Sequence, residues 1–186
     1  MGHVPRDAVF QVTFVISTSG FSTTDYNLWP PFAQTILVLL MFVGGCSGST
    51  AGSIKCGRIL LLLRSSTRSL LRLSHPRAVR VVKLDGKVVN EETLRTVSSF
   101  FLCFFALLGV GCLVVSLDGY SLTTSFTAAL GCLSNVGPGL DLVGPMGNFG
   151  LLSGFNKVFL SLLMLIGRLE IFPILLLFLP STWRRS

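Results

Sequence analysis

The chain has 186 residues, 51% of them hydrophobic and 12% charged, with a mean hydropathy of +0.74. That balance excludes a disordered or collagen-like chain and points to a membrane protein. The formal net charge of +7 does not argue for nucleic acid as a partner, because the basic residues cluster between apolar segments, the pattern of a cytoplasmic membrane face.

The opening, MGHVPRD, lacks the basic-then-apolar order of a signal peptide and reads as the inside of a larger pattern. Phe10 to Ile16 is apolar but far shorter than the roughly 20 residues a spanning helix needs. The polar stretch STSGFSTTD (17–25) follows, and then Trp29-Pro30-Pro31 opens a new segment, with prolines suited to a helix start and tryptophan to the membrane interface. The run FAQTILVLLMFV (32–43) is interrupted by GGCSGSTAGSIK (44–55) and resumes as CGRILLLLR (56–64), which predicts a broken helix. Such backbone is tolerated in a membrane only where it is buried in protein or lines a cavity.

Residues 64–95 are basic, with eight Lys or Arg against three acids. Within them RVVKLDGKVVN (80–90) places two short β-type runs around Asp85-Gly86, a hairpin signal. Asn90 with Glu91 and Glu92 predicts a helix N-terminus, and Val97 to Leu117 carries no charge and is the clearest span. The short run SLTTSFTAALGCL (121–133) leads to SNVGPGLDLVGPMGNFG (134–150), and the last apolar segment is 158–179, followed by Trp183-Arg184-Arg185. With 64–95 and the C-terminus both cytoplasmic by charge, 121–150 must enter and leave from the outer side, as a re-entrant loop. Cys46, Cys56, Cys103, Cys112 and Cys132 are odd in number and lack metal-site spacing, and read as small apolar residues.

The chain repeats itself. With Gly137 laid over Gly20, GCLSNVGPG (131–139) lies on FVISTSGFS (14–22), each preceded by a short apolar helix and followed by an acid, Asp25 or Asp141. The next helices match as LLMFVGG (39–45) and LLMLIGR (162–168), with six extra residues in the second loop. The repeating order is short helix, glycine turn, acid, long helix. Glycine in such a turn lets the backbone present carbonyl oxygens inward, where they replace water around a monovalent cation. Asp25 and Asp141 either raise the local cation concentration at the outer mouth or are ordinary solvated loop acids.

On STSGFSTTD, GGCSGSTAGSIK, SNVGPGL and GRLEIFP, over nearly its whole length, the chain resembles the C-terminal part of the Trk/Ktr/HKT superfamily of potassium transporters, most closely the bacterial Trk-type uptake proteins. The resemblance implies an all-α polytopic membrane protein with four helix–pore loop–helix repeats around one ion pathway. This chain would supply the third repeat without its first helix (1–63), a basic cytoplasmic linker with a hairpin (64–95) and the complete fourth repeat (96–186). It further implies a selectivity filter built on Gly20 and Gly137, in which potassium meets the backbone carbonyls of Thr18, Ser19, Asn135 and Val136. One filter glycine per loop implies weaker discrimination between potassium and sodium than a longer filter run would give. The family's intramembrane gate loop would be GGCSGSTAGSIK, with Gly44, Gly45, Gly48 and Gly52. Partners implied are membrane lipid, a second copy of the full-length protein and a cytoplasmic nucleotide-binding regulatory subunit, in a bacterial inner membrane. Potassium, and possible sodium, enter as transported ions; no cofactor is implied.

Arg168 stands inside segment 158–179, where an intramembrane charge marks a functional site. In the repeat it replaces Gly45, and the resemblance sets it below the filter, as an electrostatic barrier and a latch for the gate loop. Glu170, two positions on, faces another side of a helix and pairs elsewhere, while Pro173 predicts a bend. The gate stretch is not a phosphate loop, because its glycines do not stand in the required spacing to Lys55. Lys55 can equally be a basic flank, and the basic linker can be a docking surface or plain positive-inside topology. The rival functions are a non-conducting membrane binding subunit and a polytopic membrane enzyme; the latter finds only His3 and His75 as histidines, neither of them within a span. Two filter loops cannot surround an ion, so the chain is expected to be a fragment of a longer transporter.

Overall fold

The computed structural model describes residues 4–46, 49, 52–74, 82–84, 87–169 and 171, and it is predominantly helical. Helix α4 (Glu91–Ser116) is the longest at 26 residues, or about 39 Å at the α-helical rise, enough to cross a bilayer's hydrocarbon core. Glu91 and Glu92 occupy its first turn, at the positive end of the helix dipole; Asn90 holds the N-cap position without a side-chain cap bond. Helices α1 (Val4–Ser17), α2 (Pro31–Phe42) and α5 (Leu122–Leu133) have 14, 12 and 12 residues and are too short to cross alone.

Helix α5 is the centre of the packing. Its Thr124, Ser125, Ala128, Ala129, Leu130 and Leu133 are all fully buried. The small side chains among them let neighbouring backbones approach closely. Helix α4 presents Gly111 to Ala129, and α6 (Gly154–Arg168) adds Leu163 to the same contact. Phe42, at the end of α2, joins α2 to α4 and α5 through Phe104, Phe105 and Phe126, with ring centroids 6.2, 5.8 and 6.4 Å away. Offset aromatic pairs at such distances add to the stabilisation from burial alone.

The interruption after α2 is ordered differently from a simple break. Strand β1 (Val43–Gly44) pairs in parallel with β2 (Ile54–Lys55), Val43 opposite Ile54, and α3 (Cys56–Ser74) starts directly from β2. The chain therefore makes an excursion and resumes beside the point where it left.

Three boundaries differ from the sequence reading. Helix α3 runs to Ser74, across the expected linker boundary at residue 64. It is held there by a small second core of Leu61, Val82, Leu94 and Val97. Arg64 donates to the Lys83 carbonyl, and Arg68 grips the Glu91 carboxylate with two nitrogens, Nη2 to Oε2 at 3.0 Å. The hairpin is present, with β3 (Lys83–Leu84) antiparallel to β4 (Lys87–Val88). Helix α6 starts at Gly154, where the Ser153 hydroxyl caps the Asn156 N–H. It ends at Arg168, so this arginine is the last helical residue rather than one in the middle of a continuous helix. The following Ile171 has a φ of 53° and donates to the Ile166 carbonyl. His3, Gly48, His75, Asp85, Gly86, Glu170, Pro173 and the terminal Trp183-Arg184-Arg185 lie outside the described residues.

Candidate functional site: two facing glycine loops

The two glycine turns leave their helices by the same backbone path. After α1, the Thr18 N–H donates to the Val15 carbonyl and the Ser19 N–H to the Phe14 carbonyl, each at 3.3 Å. After α5, the Asn135 N–H donates to Cys132 at 3.1 Å and the Val136 N–H to Gly131 at 3.0 Å, the repeat-equivalent bonds. This is helix termination through a left-handed residue. Thr18 and Asn135 supply it, with φ of 53° and 56°. Gly20 and Gly137 follow at φ of 82° and 101°, values that only glycine adopts without strain.

The loops also face one another. A Cβ built on Gly20 would lie 3.6 Å from the Val136 carbonyl oxygen, and one on Gly137 would lie 4.0 Å from the Gly20 Cα. Val136 is buried, Ser19 and Gly20 are exposed, and the Asn135 amide turns away to donate to the Met164 carbonyl of α6 at 3.1 Å. All six expected filter residues therefore belong to one pair of touching turns.

A third piece closes beneath them. Gly52 stands against the second turn so tightly that a Cβ there would be 2.3 Å from the Ser134 carbonyl oxygen. Ser53, at φ 62°, donates its hydroxyl to the Met41 carbonyl at 2.8 Å and to the Ser134 carbonyl at 3.3 Å. Gly45 accepts from the Cys56 N–H at 3.3 Å and Gly44 from the Cys56 thiol at 3.0 Å. Gly167 meets the preceding carbonyl, that of Leu133. Gly52, in the stretch expected to be a gate, and Gly167, the residue before Arg168, thus abut successive carbonyls at the C-terminal, electronegative end of α5. Arg168 itself is exposed and has no ion-pair partner among the described residues.

Above the turns, the two acids are structural as well as charged. Asp25 caps a 3-10 turn (Tyr26–Leu28) by accepting from the Asn27 N–H at 3.0 Å. The Asp141 carboxylate accepts from the Thr124 hydroxyl at 2.6 Å and the Ser121 hydroxyl at 2.7 Å, and these bonds hold its pKa below the ordinary value.

Four residues that motif reading missed tie this outer layer together. Asn27 accepts from the Asp141 N–H at 2.9 Å and donates to the Asp141 carbonyl at 3.2 Å. The Tyr26 hydroxyl, fully buried, donates to the Gly139 carbonyl at 2.9 Å; burial first, then the Asp25 charge, raise its pKa and keep it a donor. Gln34 donates to the carbonyls of Asn27, Trp29 and Tyr26, and Gln11 to the Thr24 carbonyl and hydroxyl. The available signal was polar side chains, Gln11 and Gln34, inside apolar runs.

Compared with known proteins, residues 2–185 match the model of the TrkH family, described as cation transport protein. The Trk system potassium uptake protein TrkH of Salmonella typhimurium is 39% identical over 179 residues, 96% of this chain and 37% of that protein. TrkG of Escherichia coli, also named a Trk system potassium uptake protein, is 37% identical over 94% of this chain and 36% of its own length. The crystal structure of the potassium transporter TrkH from Vibrio parahaemolyticus superposes with a TM-score of 0.87 at 39% identity, covering 96% of this chain and 38% of that one. The chain spans little more than a third of the length of these relatives.

Proposed function

Because the chain belongs to the TrkH family of cation transport proteins, we propose that it forms one side of a potassium pathway across a bacterial membrane. The observation that carries this reading is the pair of touching turns, with matched left-handed residues and matched hydrogen bonds around Gly20 and Gly137. Each turn closes a short helix that enters the membrane and returns, so the units 1–63 and 96–186 act as pore repeats joined by 64–95. The carbonyls of Thr18, Ser19, Gly20, Asn135, Val136 and Gly137 take over part of the ion's hydration shell. Asp25 and Asp141 add negative charge above them.

Below, Gly44, Gly45, Gly48 and Gly52 belong to a gate loop that obstructs permeation while it is pinned on Ser134. Arg168 is a positive barrier beside it, and neutralising it loosens both barrier and latch. Two pore repeats enclose half a pathway; the intact transporter completes it and works as a homodimer. The basic face of α3 with the β3–β4 hairpin docks a nucleotide-binding regulatory subunit from the cytoplasm. Family membership favours transport over the enzyme reading, and potassium is cargo rather than cofactor.

The test is growth of cells lacking their own potassium uptake on low potassium, complemented by the full-length protein with Gly137→Asp. Loss of growth with normal membrane levels supports the reading. Unimpaired growth overturns it.

A further inference from the structure

The contacts between the outer loops are made by neutral groups and are specific in shape. Asn27 reads both backbone groups of one residue, taking the Asp141 N–H on Oδ1 and giving Nδ2 to the Asp141 carbonyl. The slot that admits this amide is floored by Gly144, where a Cβ would lie 2.2 Å from Nδ2. A side chain at 144 would occupy the amide's place. Next to it Tyr26 donates to Gly139, two residues beyond the filter glycine Gly137. On its own side, the loop bearing Tyr26 and Asn27 is fastened by Gln34 through three carbonyls. In the second unit the matching 3-10 turn, Phe149–Leu151 capped by Asn148, carries Phe149 and Gly150 at the places of Tyr26 and Asn27, so it offers neither the hydroxyl nor the amide.

We propose that Asn27 is a specificity-determining positioning residue, which with Tyr26 holds the second turn at a fixed distance from the first and so sets the separation of Gly20 and Gly137. The inference rests on the reading of these turns as an ion filter. A filter discriminates between potassium and sodium through the spacing and number of its carbonyl ligands, and either property changes if opposing loops drift apart. Hydrogen bonds to the backbone are suited to this role, since they fix the main chain itself rather than a mobile side chain.

The experiment measures rubidium and sodium fluxes through the full-length protein in liposomes. Asn27→Ala is expected to lower the rubidium-to-sodium ratio about fivefold, the scale set by loss of one or two net hydrogen bonds. Gly144→Ala is expected to do the same by filling the slot, and Tyr26→Phe to do so with the ring left in place. A purely structural role would lower the amount of assembled protein and leave the ratio alone. If Asn27→Ala fails to assemble, the Gly144→Ala and Tyr26→Phe ratios decide. A wild-type ratio in both, with flux still blocked by Gly137→Asp, overturns this inference and leaves the filter reading standing. Flux that survives Gly137→Asp overturns the filter reading itself.

Discussion

Gly52 and Ser134 meet where the excursion after α2 reaches the end of α5: no heavy atom fits between the Gly52 Cα and the Ser134 carbonyl oxygen, since a Cβ would stand 2.3 Å from that oxygen. The contact joins the proposed gate directly to the base of one of the two proposed filter turns. Gly52→Ala is therefore expected to push the gate loop off the turn, costing about 1–3 kcal/mol of stability. In the full-length protein this should appear as a lower midpoint of thermal unfolding in detergent, together with higher basal flux. A midpoint at the wild-type value would show that the approach is not maintained.

Arg168 closes helix α6 beside the same end of α5. A cation at a helix C-terminus is stabilised by the dipole, but a fixed positive charge under an ion filter opposes permeating cations. Arg168→Ala is expected to raise potassium flux, and Arg168→Lys to keep it near wild type. Equal flux and gating in Arg168→Ala would remove the barrier role.

The two left-handed residues before Gly20 and Gly137, the proposed filter glycines, give opposite expectations when exchanged. Thr18 is β-branched at φ 53°, a conformation that costs an ordinary residue roughly 1–2 kcal/mol and that asparagine tolerates better. Thr18→Asn should raise the unfolding midpoint. Asn135→Thr should lower it, since it adds the strain and also deletes the bond to Met164. Chemical denaturation of the purified full-length variants checks both signs.

Asp141 sets an acid limit. Its pKa is depressed in the fold by the Thr124 and Ser121 hydroxyls. The stabilisation is present above the unfolded value of about 4 and is lost as pH falls through the lower folded value. Melting curves from neutral pH down to about pH 3 should show a steeper acid loss for wild type than for Asp141→Asn, which cannot ionise there. Parallel curves would mean that the carboxylate makes no net bond to the hydroxyls.

Much of this was legible in the residues because the signals were local. The uncharged run from Val97 to Leu117 foretold α4, and the paired motifs around Gly20 and Gly137 foretold two turns that proved to have similar φ values and matching hydrogen bonds. The six extra residues in the second loop fall where the Asn27 contacts lie, so the repeat alignment lost register where the outer layer is built. Tyr26 and Asn27 act on Gly139 and Asp141 more than a hundred positions away, and no periodicity reports such a pairing. Helix α3 outran its expected end because Ser65, Ser66 and Thr67 read as linker, whereas Leu61 and Arg68 fasten the helix to α4. The end of α6 at Arg168 was hidden for the opposite reason: apolar residues continue past it in the sequence, and the close stand of Gly167 on the Leu133 carbonyl is a contact between distant segments that no local pattern reports.

The most direct test of the paired turns as an ion filter is rubidium flux into liposomes carrying the full-length protein with Gly20→Ala or Gly137→Ala. An added methyl at φ of 82° or 101° must shift the backbone that carries the carbonyls. Each variant is expected to assemble at wild-type yield and to lose flux, the two glycines being equivalent halves of one device. Wild-type flux in either variant would contradict the account.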